Sequence, residues 1–136
     1  MPRRACLTLP LTALCLSAAL PIPAQAGVPG ELALQFRYAV QDAQSEPDRQ
    51  ALCRNAGVRD FSYSMSARCA DTFNTVLARL RTRDEVIEAM IERYRGEMTA
   101  EDLERAEVGH RKVHDLIAAT RDLAKSFEQR KASASY

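Results

Sequence analysis

The run TAEDLERAEVGHRKVHDLIAATRDLAKSF, residues 99–127, reads as one long amphipathic helix. Leu103, Ala106, His110, Val113, Ile117, Thr120, Ala124 and Phe127 recur at three- and four-residue steps, so they share a face. Thr99 supplies a capping hydroxyl, and Glu101 and Asp102 put acids where the helix dipole favours negative charge. Gly109 stands in the middle of this pattern at a cost of about 1 kcal/mol relative to Ala. Its place predicts a close approach there by another helix or by a ligand.

The chain before it repeats this pattern. Leu32, Phe36, Ala39, Val40 and Ala43 recur at helical spacing from Glu31 onward. A short second helix follows, with Ser45 expected as its cap and Pro47 in its first turn; it carries Leu52 and Cys53 and is expected to stop in a left-handed cap at Asn55-Ala56-Gly57. A third helix begins between Asp60 and Ser66 and carries Met65, Cys69, Phe73, Val76, Leu77 and Leu80. Thr82-Arg83-Asp84-Glu85 has the Thr-x-x-Glu form of a capping box, which predicts a new helix with Val86, Ile87, Met90, Ile91 and Tyr94 inward, ending near Gly96. No segment alternates with period two for long enough to predict a strand. The expected fold is an all-α small helical bundle of about four helices plus one short helix, pinned by one disulfide.

Residues 1–26 read as a secretory leader. Met1-Pro2-Arg3-Arg4 is basic, Ala5 to Leu20 is apolar, Pro21 and Pro23 break any helix, and Ala24-Gln25-Ala26 suits cleavage before Gly27. The apolar run falls short of the roughly 20 residues that cross a bilayer. Leu14 before Cys15 argues against lipidation, where a small residue is wanted. The expected organisation is therefore a leader over 1–26, one helical domain over 27–130 and a disordered polar tail over 131–136. The expected location is periplasmic or secreted, with no stable membrane insertion after cleavage.

Export governs the cysteines. Cys6 and Cys15 leave with the leader, and Cys53 and Cys69 remain with fifteen residues between them. In an oxidising compartment such a pair joins, and closing that loop contributes about 3 kcal/mol in the chain-entropy model. Neither C-x-x-C nor C-x-x-C-H occurs, so redox exchange and haem attachment lack their motifs.

Arg3 and Arg4 are the leader's only charges, so the remainder carries 17 basic against 18 acidic residues. That balance excludes the strong basic excess of a nucleic-acid binder. The Arg79, Arg81 and Arg83 cluster reads as a solvated helix end. Phe61 and Tyr63 either pack down the stapled connection or offer a contact surface.

The two histidines, His110 and His114, lie four apart, with Glu107 three before His110. These steps return to one helix face, so Glu-x-x-His-x-x-x-His could offer a carboxylate and two imidazoles to one divalent metal. His110 also continues the apolar stripe, as a buried histidine bonded to a neighbouring helix would, and in an exported protein it suits a pH-sensing role. No His-x-Glu, His-Glu-x-x-His or Gly-x-Ser-x-Gly motif and no phosphate loop occurs, so no catalytic residue and no cofactor beyond that metal is assigned.

Met98-Thr99-Ala100-Glu101-Asp102-Leu103 resembles, over six residues and without its Gln, the Leu-Thr-x-x-Gln opening of small helical periplasmic stress chaperones. In size and disulfide style the chain resembles the periplasmic immunity proteins that neutralise toxins. Both resemblances imply a non-catalytic protein whose partner is another exported or periplasmic protein. That is the expected function, with divalent-metal binding through Glu107, His110 and His114 as the alternative.

Overall fold

The computed structural model describes residues 27–57 and 61–134. Residues 1–26, expected as a leader, residues 58–60 of the stapled connection, and Ser135 and Tyr136 of the expected tail lie outside them. Among the described residues there are four α-helices and no strand: α1 (Gly30–Ala43), α2 (Pro47–Asn55), α3 (Tyr63–Tyr94) and α4 (Ala100–Ser133). A 3-10 turn over Arg95–Glu97 joins α3 to α4. The all-α bundle with one disulfide is therefore as expected. No helix among the described residues is long and apolar enough to cross a membrane.

The helix expected to start at Thr82 does not exist separately, because α3 runs straight through it. The Thr82 hydroxyl donates back to the Ala78 carbonyl at 3.2 Å and caps nothing. No Gly or Pro interrupts residues 63–94, and the apolar stripe keeps its phase across the junction. Leu80 and Ile87, seven residues apart, are both fully buried. At 32 residues, α3 nearly matches the 34 of α4. These two antiparallel helices form a hairpin about 50 Å long, and α1 lies across both.

Two buried clusters fill the bundle. Leu32 and Ala39 of α1 meet Val76, Leu80, Ile87 and Ile91 of α3 and Ala106 and Val113 of α4. Toward the other end Cys53, Cys69, Ala70, Phe73, Ala124 and Phe127 pack together. Phe73 and Phe127 stack with ring centroids 5.6 Å apart, and Phe61 leans on Phe127 at 5.3 Å under the Arg130 guanidinium. Phe61 therefore packs the connection down. Cys53 and Cys69 are bonded, with Cα atoms 5.7 Å apart, and hold α2 against α3.

Several boundaries differ from the sequence reading. Glu46, not Ser45, caps α2, and it takes a left-handed conformation at φ 58° ahead of Pro47. A proline ring disfavours the right-handed helical region for the residue before it, so Glu46 stands outside the helix. The Ser45 hydroxyl instead closes α1 by donating to the Asp42 carbonyl at 2.7 Å. Buried Gln50 stitches the turn by donating to the carbonyls of Ala43 and Ser45. At the far end of α2, Ala56 is extended and Gly57 has no positive φ, so the expected left-handed stop is absent. Val40, on the expected apolar face of α1, is 48% exposed, and Leu52 of α2 is 49% exposed. α4 continues three residues into the expected tail, through Ser133.

Arg83 turns inward rather than into solvent. Its Nε donates to Asp42 at 3.1 Å, its Nη1 donates to Gln35 at 2.8 Å, and its guanidinium lies over the Tyr38 ring. Tyr94 donates its hydroxyl to Glu31 at 2.7 Å, and that hydrogen bond holds the phenol above its ordinary range. These contacts tie α1 to α3 near the middle and near the end of α3.

Candidate metal centre

The uninterrupted α3 puts Asp84 in an unexpected place. Steps of four, three and four residues connect Leu80, Asp84, Ile87 and Ile91, so Asp84 occupies the apolar seam facing α4. On α4 the corresponding seam runs through Ala106, His110 and Val113. The one carboxylate on the first seam meets the one imidazole on the second: His110 Nε2 lies 2.7 Å from Asp84 Oδ1. Their side chains are 19% and 21% exposed.

His114, one turn further along α4, joins them. Its Nε2 lies 3.0 Å from the same Asp84 Oδ1, although its side chain is 55% exposed. The two imidazole rings stand 4.4 Å apart at 51°. Three donor atoms from two helices thus converge within 4.8 Å of one another.

The donors match a metal in chemistry and in reach. Imidazole and carboxylate together suit Zn²⁺, Cu²⁺, Ni²⁺ or Fe²⁺, whereas Mg²⁺ and Ca²⁺ prefer all-oxygen shells. Bonds of about 2.0–2.2 Å place neighbouring tetrahedral ligands about 3.3–3.5 Å apart. The Asp84–imidazole separations of 2.7 and 3.0 Å reach that range when the carboxylate retreats by roughly half an ångström.

Of the residues expected to share a metal, the structure brings His110 and His114 together and leaves Glu107 apart. Glu107 Oε2 lies 3.6 Å from Arg95 Nη2, and Arg95 also holds Glu92 at 3.3 Å. The carboxylate that meets the imidazoles belongs to α3, not α4. Sequence reasoning missed Asp84 because it was assigned to the first turn of a new helix. The signal that locates it is the unbroken 80–84–87–91 spacing, in which a charged residue stands where an apolar one is due.

Gly109 has a packing explanation. A Cβ there would meet the Phe36 ring of α1 at 2.9–3.1 Å, so the close approach anticipated at this glycine is made by a helix. It lets Phe36 settle on α4 one residue before His110.

No protein-family model, curated protein or solved structure matches this chain.

Proposed function

We propose that this is an exported protein that binds one divalent transition-metal ion through Asp84, His110 and His114. The observation that carries the reading is the placement of His114. The partly buried Asp84 carboxylate already has a hydrogen-bonding partner across the seam in His110. A half-exposed second imidazole turned onto the same oxygen contributes little to packing, but it completes a three-donor set. A leader over residues 1–26 and the Cys53–Cys69 bond are consistent with export.

Titration of the purified protein with zinc, copper and nickel is the direct test. One ion per chain is expected, with Mg²⁺ and Ca²⁺ unable to compete. His110→Ala/His114→Ala should abolish binding, and Asp84→Asn should weaken it roughly tenfold or more, since a required ligand is lost. Equal binding by the wild type and the double variant would remove the reading.

The protein-binding role expected from the sequence ranks second. Its support is the pair of exposed apolar side chains, Val40 on α1 and Leu52 on α2. Val40, Pro47, Ala51 and Leu116 also line an open groove of about 540 Å³ between α1, α2 and α4.

A further inference from the structure

We infer that an ion held by Asp84, His110 and His114 keeps one coordination position open to a small monodentate donor from outside the chain. This rests on the metal reading and adds what the site would do with its ion. Four protein ligands close a structural zinc site, whereas three leave a position that exchanges. Among the described residues the convergent set has three members.

The candidate for a fourth is Glu107, which shares the arc of His110 and His114 on α4. Its carboxylate is drawn the other way. Arg95, its partner, lies eleven residues beyond Asp84, about 16 Å further along the helix direction. Arg95 is itself anchored by Glu92, so the pair holds Glu107 toward the hairpin turn and away from Asp84.

The exposure pattern shows which side is open. Asp84 and His110, about one-fifth exposed, form the inner wall, and His114, 55% exposed, stands at the rim. An incoming donor arrives from solvent over His114 without displacing any core residue. One carboxylate leaves a divalent ion with net positive charge. Imidazole is a donor that suits these divalent ions, so it serves as the probe of the open position.

Cobalt(II) in place of zinc makes the test spectroscopic. The purified cobalt-loaded chain is titrated with imidazole while bound cobalt is measured by dialysis. A saturable change in the visible d–d spectrum is expected, with one imidazole per cobalt, cobalt retained, and the same response in Glu107→Gln. A wild-type spectrum indifferent to imidazole overturns the inference, and a response gained only in Glu107→Gln identifies Glu107 as the ligand that closes the site. Stripping of cobalt without a ternary species overturns it as well. A wild-type chain that binds neither cobalt nor zinc fails at the earlier step and removes the metal reading together with this one.

Discussion

Asp84 shows how one residue changes meaning with its helix. As the third position of a capping box it would be a surface acid near a dipole. In a continuous α3 it is a carboxylate facing two imidazoles across the seam. Gly109 changes meaning in the same way, from a weak point in α4 to the floor under Phe36. Gly109→Ala gains about 1 kcal/mol of helix propensity but drives a methyl into the ring, and overpacking of this kind costs about 1–3 kcal/mol. A net loss of stability by urea unfolding is expected. In a Phe36→Ala background the same change should become neutral or stabilising. Additive effects of the two substitutions would mean that ring and glycine do not meet.

At the scale of elements, the cap expected at Thr99 is present, and a second one, at Ser62, falls inside the 60–66 window expected for the start of α3. Thr99 caps α4, accepting from the Asp102 amide at 3.0 Å, and Ser62 caps α3 in the same way at 3.2 Å. The matching signal at Thr82 misled because a capping box is a local pattern, and burial of Leu80 and Ile87 on one stripe outweighs it. A lost cap costs about 1 kcal/mol, whereas an exposed mid-helix Thr replaced by Ala gains up to about 0.7 kcal/mol. Thr82→Ala should therefore leave the urea midpoint unchanged or raise it slightly. A clear drop would restore the break between two helices. The α1–α2 turn was misread by one residue: Pro47 marked it correctly, but Glu46 stands at the cap position and the Ser45 hydroxyl bonds back to the end of α1.

The whole molecule is a long hairpin braced at three places. The disulfide pins α2 to α3, the Arg83 contacts clasp α1 to α3, and Asp84 with the histidines bridges α3 and α4. The covalent brace is the one whose contribution can be estimated from the chain alone. Reduction, or Cys53→Ser, should remove about 3 kcal/mol. For a domain of this size that lowers the melting temperature by more than about 10 °C. Calorimetry with and without reductant measures it, and an unchanged melting temperature would show that the bond is absent or idle.

The amino-acid sequence by itself determined the helical class, the pairing of Cys53 with Cys69 and the common face of His110 and His114. Each of these follows from spacing along one chain segment or, for the cysteines, from the expectation that Cys6 and Cys15 leave with a leader. Tertiary packing decided the length of α3, the inward turn of Arg83 and the identity of the carboxylate that meets the imidazoles. Those depend on which residues become opposite when two helices dock: the 80–84–87–91 spacing can put Asp84 on a seam, but it does not say which residue, here one twenty-six positions away, will face it.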